Sequence, residues 1–181
     1  MVNFTNNMNM IKKHTFKHFE TNKPQSVIFH IDLGTEAGTT DWILNGPTSV
    51  SYNYYITRKG DIIEFVPYYL GAWHAGVVSS PTAEAKAFYG KNNPNLRSIG
   101  VCYEGKTVGT KATSKQINAG KELIKFLNEK NKIKKYFIHQ ELTSYKPKIV
   151  KLFKRVVIPK KPVNSVCRIL KLLTAKYGCN N

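Results

Sequence analysis

At 181 residues, with 41% apolar and 12% aromatic side chains, the chain has the make-up of a globular domain with a proper core and not that of a disordered segment. Its 28 Lys and Arg against 11 Asp and Glu leave a net charge of +17, a field that attracts polyanions such as nucleic acid, anionic lipid or the phosphate-rich polymers of a bacterial envelope. No stretch approaches the roughly 20 apolar residues of a membrane span, and "MVNFTNNMNMIKKHTFKHF" lacks the apolar core and cleavage site of a secretory signal, which predicts synthesis in the cytoplasm without a signal peptide.

In chain order, "SVIFHID" is a short β-rich apolar run and reads as a buried strand. "VSYNYYITRKGDIIEFVP" is two such runs around Arg-Lys-Gly-Asp, and the glycine predicts a hairpin turn. "RSIGVCYEG" and "KKYFIHQ" supply two more strands. Between them, "TSKQINAGKELIKFLNEKN" sets Thr113 and Gln116 at capping-box spacing and puts Ile117, Gly120, Ile124 and Leu127 on one face, which predicts a helix. A last helix is expected from about Asn164 to a Gly178 stop. Strands interleaved with helices predict an α/β domain, a central mixed β-sheet flanked by helices. No repeat, linker or low-complexity tract divides residues 1–181. The three cysteines, Cys102, Cys167 and Cys179, are an odd number without CxxC spacing, so neither a disulfide framework nor a cysteine zinc cluster is indicated. Cys102 reads as a small buried hydrophobe.

Two histidines each end an apolar strand, His30 in "VIFHID" and His139 in "YFIHQE". Strand ends present side chains to clefts, and neutral imidazole is the commonest zinc ligand. Taken alone, each is equally well an edge histidine satisfied by a hydrogen bond.

The blocks "WILNGPTSVSYNYYITRKGDIIEFVPYYLGAWHAG", "NPNLRSIGVCYEG" and "TSKQINAGKELIKFL" resemble, in order and spacing, the zinc-dependent N-acetylmuramoyl-L-alanine amidases. That family includes amidase-type phage lysozymes, and peptidoglycan-recognition proteins share its fold. The resemblance runs from about Val27 to Phe153, which leaves a basic C-terminal segment over 154–181. It implies a groove that takes a peptidoglycan strand with its stem peptide, and cleavage of the amide between N-acetylmuramic acid and L-alanine. It also implies a role in cell-wall lysis of the endolysin kind, exerted after release from the cell, or in the host bacterium.

Residue by residue, the resemblance makes His30 and His139 zinc ligands. It makes Tyr52 the tyrosine beside the reacting water and Lys146 the cation that faces the oxyanion. Zinc lowers the pKa of its water to about 7 and polarises the scissile carbonyl; a tyrosine can position or deprotonate that water, and a lysine stabilises the developing negative charge. Outside that context Tyr52 is one tyrosine of 10 and Lys146 one of 28 cations. His74 of "WHAG" matches a substrate-contacting groove histidine. Trp73 is placed to stack on a sugar or simply to pack, and Asn95 to contact substrate or to serve as a turn residue.

The third ligand departs from the pattern. After "SYKP" these amidases carry Asp or Cys, and this chain has Lys148, a side chain whose reference pKa of about 10.4 makes it a cation. A catalytic zinc takes three protein ligands and an open position. Asp32 and Glu141 each lie two residues from a zinc-site histidine, which would put them on the same face of a strand. Asp32 is the candidate substitute, and Cys167 lies well downstream. Lys148 also admits a second reading, a degenerate amidase that binds peptidoglycan without cutting it. The tail "KPKIVKLFKRVVIPKK" admits two readings, attraction to anionic envelope polymers or a solvated basic face. Nothing in the sequence matches a zinc finger, RRM or basic zipper, so no specific nucleic-acid partner is expected.

Overall fold

Along Ser26–Ile31 (β3) Val27 and Phe29 alternate with Ile28 and His30, and that alternation sorts side chains onto the two faces of a sheet. The computed structural model describes residues 10–76, 78–105 and 111–143. Its main sheet also contains Met10–Lys12 (β1), Tyr54–Ile56 (β4), Ile62–Glu64 (β5), Ser98–Tyr103 (β7) and Lys135–Ile138 (β8). The strand order is β1-β5-β4-β7-β3-β8, and only the β4–β5 pair is antiparallel. A separate antiparallel pair joins His18–Phe19 (β2) to Gly71–Ala72 (β6). This is the expected mixed α/β architecture, with the hairpin at Arg58–Asp61 turning on Gly60, whose φ of 92° suits a residue without Cβ.

Ser114–Lys130 (α3) covers one face. Its start is the capping box foreseen from Thr113 and Gln116, and its Leu123, Ile124 and Leu127 pack on Val27, Phe29, Tyr54, Ile56, Val101 and Tyr136. Truncating a buried leucine such as Leu127 to alanine removes about 2–5 kcal/mol. The opposite face carries Glu36–Asn45 (α1) and Ala83–Tyr89 (α2), neither anticipated from sequence. Their buried residues join two clusters, Ile43 with Tyr55, Phe65 and Cys102, and Ala85 and Tyr89 with Ile28 and Phe137. Threonines start both helices: Thr35 accepts from Gly38 N–H and Thr82 from Ala85 N–H.

Register then selects the side chains that share this second face. β3 and β7 run parallel with His30 opposite Cys102, Ile28 opposite Gly100 and Ser26 opposite Ser98. His30, Cys102, Gly100 and Ser98 therefore all look away from α3. The helix expected over 164–178, the basic tail, Lys146, Lys148 and Cys167 lie outside the described residues. Among the described residues no helix is long and apolar enough to cross a membrane.

Candidate active site

His30 is buried on the face opposite α3 and sits at the centre of an aromatic cluster. Its ring centroid is 4.8 Å from that of His139, 5.1 Å from Tyr52 and 5.2 Å from His74. Three separated sequence blocks thus converge on one point. His30 comes from β3 and His139 from the first residue of a 3-10 turn, His139–Glu141, that directly follows β8. Tyr52 precedes β4, and His74 follows β6.

Hydrogen bonds fix the rings. His30 Nε2 lies 3.0 Å from His74 Nδ1, His74 Nε2 lies 3.2 Å from Ser98 Oγ, and His139 Nε2 donates to the Ala75 carbonyl at 3.1 Å. Burial, reinforced by the neighbouring His74 and His139, holds the His30 pKa well below its usual value. Burial and then His139 push His74 down to about 3. Both rings are neutral imidazoles near pH 7 and so keep a lone pair. Tyr52 moves the other way: the adjacent Cys102 sulfur, burial and a hydrogen bond to that sulfur raise its pKa well above 10. Its phenol keeps its proton and acts as an O–H donor, which favours positioning over deprotonation. Cys102 is itself buried, and burial holds its thiol protonated.

The residues fit a zinc ion in part. His30 and His139 each have one nitrogen hydrogen-bonded to the protein, and no hydrogen bond to Nδ1 of either is formed among the described residues. That is the donor set of a histidine metal site with an outer hydrogen-bonded shell. Among the described residues no three His, Cys, Asp or Glu side chains come together to hold a metal.

The two carboxylates weighed as substitutes are engaged elsewhere. Asp32 lies just past the end of β3 and accepts from Thr39 Oγ1, from the Tyr55 hydroxyl at 3.0 Å and from Gly105 N–H at 3.1 Å. It ties α1 to the strand ends, with both of its oxygens accepting hydrogen bonds there. Glu141 accepts from Ile138 N–H at 2.8 Å and closes its own turn. Strand alternation fails for it because the chain leaves extended geometry at His139.

The remaining candidates divide. His74 is buried with both ring nitrogens bonded, so it supports His30 and has no free edge for a groove ligand. Asn95 is buried in the turn Pro94–Leu96 and accepts from His74 N–H at 3.1 Å and Ala75 N–H at 2.8 Å. It clamps the backbone between Trp73 and Gly76. Trp73 stacks on Phe19 at 4.3 Å and remains 40% exposed. Phe19, Trp73, Gly76, Lys86, Lys91 and Asn95 line part of a cleft of about 790 Å³ that begins where the clamped segment reaches the surface. His30, His139 and Tyr52 do not line it. Sequence reasoning missed Ser98 and Gly100, whose parts in the site depend on the β3–β7 register.

Residues 20–149 match the protein family described as N-acetylmuramoyl-L-alanine amidase. The chain belongs to that family. It is a hydrolase of the peptidoglycan amide between N-acetylmuramic acid and L-alanine, and family membership lends no support to the non-cleaving alternative. Several solved structures share the fold. A selenomethionine derivative of AmpD has a TM-score of 0.62 at 19% identity, over 91% of this chain and 94% of its own. A mutant endolysin from Bacillus subtilis has a TM-score of 0.59 at 20% identity, over 81% and 93%. The endolysin amidase LysCS from Clostridium intestinale URNW has 0.53 at 16%, over 76% and 85%. No curated protein sequence matches the chain.

Proposed function

We propose that this amidase works with a zinc ion held by His30 and His139, and that it acts on the bacterial cell wall in the manner of an endolysin. The convergence of the two imidazoles, 4.8 Å apart with their outer nitrogens already bonded, carries this reading. His30 and His139 would hold the ion, which would supply Lewis acidity toward the scissile carbonyl and lower the pKa of a water towards neutrality.

The chain's own residues do the rest. Tyr52, protonated, hydrogen-bonded to the Cys102 sulfur and with its ring centroid 5.1 Å from that of His30, stands beside the reacting centre and holds its geometry. Lys146, assigned through the family pattern, places a cation against the oxyanion as charge develops. Burial of His30 and His74 keeps bulk water from the imidazoles on the protein side. Trp73 has one face on Phe19 and is left 40% exposed, a platform for a sugar ring at the mouth of the cleft. The net charge of +17 draws the protein to the anionic polymers of the envelope, with the basic run over 146–161 and the segment that follows it as a dense source.

Zinc stoichiometry on metal-loaded, exhaustively dialysed protein tests the reading. It predicts close to one zinc per chain, and loss of retention in His30→Ala and in His139→Ala. Wild-type protein that leaves dialysis metal-free, with no zinc-dependent rise in melting temperature, would overturn it.

A further inference from the structure

We infer that the dipeptide His74–Ala75 is the positioning element for both metal-binding histidines, fixing each as the tautomer that keeps Nδ1 free for the metal. The inference rests on the zinc reading above and goes beyond it, because neither His74 nor Ala75 is a ligand.

The proton positions follow from groups that can only accept. The Pro94 carbonyl takes the Ser98 hydroxyl hydrogen at 2.6 Å. Ser98 Oγ, its one hydrogen used, is then the acceptor for His74 Nε2–H at 3.2 Å. His74 accordingly carries its lone pair on Nδ1, which accepts from His30 Nε2–H at 3.0 Å. The chain of donors ends by leaving the lone pair of His30 on Nδ1. His139 reaches the same state by a shorter route, because Nε2 donates to the Ala75 carbonyl at 3.1 Å and Nδ1 keeps its lone pair.

One strap therefore sets two ligands, His30 through the side chain of residue 74 and His139 through the carbonyl of residue 75. The strap is itself held. Asn95 Oδ1 accepts from both of its N–H groups, and the turn that carries Asn95 starts at Pro94, whose carbonyl ends the proton chain. A Cβ on Gly100 would stand 2.6 Å from His74 Cδ2, so the ring lies directly on the β7 backbone with no room to tilt towards it. Outer-shell partners of this kind orient ligating imidazoles and raise their basicity, and losing one typically weakens metal binding about 10–100-fold.

The test pairs a tautomer measurement on metal-free protein with zinc affinity by chelator competition. Two-bond 1H–15N spectra of the ¹⁵N-labelled wild type are expected to show His30, His74 and His139 all protonated at Nε2. His74→Ala is expected to weaken zinc binding about 10–100-fold. His74→Asn, whose amide oxygen falls where Nδ1 was, should recover most of that loss. Ser98→Ala leaves His74 Nε2 without its acceptor and should shift His30 towards the Nδ1–H form, a readout that a merely structural role would not move. The inference is overturned if metal-free His30 is protonated at Nδ1 in the wild type, or if folded His74→Ala binds zinc within twofold of it. Should His74→Ala fail to fold, the tautomers of wild type and Ser98→Ala decide alone. Wild-type protein that binds no zinc brings down the zinc reading and this inference together; equal binding by His74→Ala brings down only the inference.

Discussion

Gly100→Ala adds one methyl group in the middle of β7, directly beneath the His74 ring. The new Cβ would stand 2.6 Å from His74 Cδ2 and 2.9 Å from His74 Cβ, and closer still to Cγ. Non-bonded carbons settle at about 3.5–4.0 Å, so the imidazole has to retreat by roughly 1 Å. Its two ring bonds, 3.0 Å to His30 and 3.2 Å to Ser98, do not survive such a shift together. Gly100 is not among the glycines with positive φ, so alanine brings no backbone strain of its own. Overpacking costs about 1–3 kcal/mol and a lost buried hydrogen bond about 1 kcal/mol, which together predict a destabilisation of about 3 kcal/mol. The cost depends on the ring. In a His74→Ala background the contacts to the ring are gone and only the 2.9 Å approach of the two Cβ atoms remains, so Gly100→Ala should cost about 1 kcal/mol. Urea unfolding of the four metal-free proteins in this double-mutant cycle reads the coupling, expected at about 2 kcal/mol. Equal cost of Gly100→Ala with and without the imidazole would refute the packing of His74 on β7.

Three further outcomes follow from separate features. Burial raises the pKa of Tyr54, Tyr55, Tyr89, Tyr103 and Tyr136, with Tyr89 pushed up to about 12. The folded state holds these protons more tightly than the unfolded chain, whose tyrosines titrate near 10, so stability is complete below about pH 10 and falls as pH rises from there towards 12; absorbance titration at 295 nm beside urea unfolding checks it, and flat stability over that window would contradict it. Asp32→Ala strands three donors, from Thr39, Tyr55 and Gly105, and should cost on the order of 3 kcal/mol in urea unfolding while zinc retention stays unchanged; loss of zinc with stability intact would return Asp32 to the metal site. Lys148→Asp places at the family's third-ligand position the residue type that position usually holds, and should tighten zinc binding in chelator competition and raise stem-peptide release; no change in either would show that the third donor lies elsewhere.

The strands Ser26–Ile31 and Ser98–Tyr103, the hairpin at Gly60 and the helix α3 were legible because each carries a local signal. Those signals are a β-rich apolar run, a turn glycine, or a capping box with a continuous apolar stripe. The helix α1 was not, since Glu36–Asn45 holds one glycine and two threonines and buries only Ile43. The strands β1, β2 and β6 span two or three residues, too few to show any period. At the site, His30 and His139 stood out because each closes an apolar strand. The work of His74 was hidden, because a local reading of "WHAG" cannot reveal that its ring lies on Gly100 or that Ser98, 24 residues on, accepts its proton. Asp32 misled for the same reason. Two-residue spacing does put it on the α1 side of the sheet with His30, but its carboxylate is taken up there by Thr39, Tyr55 and Gly105.

Product analysis by mass spectrometry tests the central claim most directly. Purified peptidoglycan is digested with zinc-loaded wild-type protein and with the His30→Ala and His139→Ala variants. The account predicts soluble stem peptides that begin with a free L-alanine amine, glycan strands with no new reducing ends, and no such peptides from either variant. Zinc-loaded wild-type protein that releases no alanine-headed peptide, or histidine variants that release as much as wild type, would contradict it.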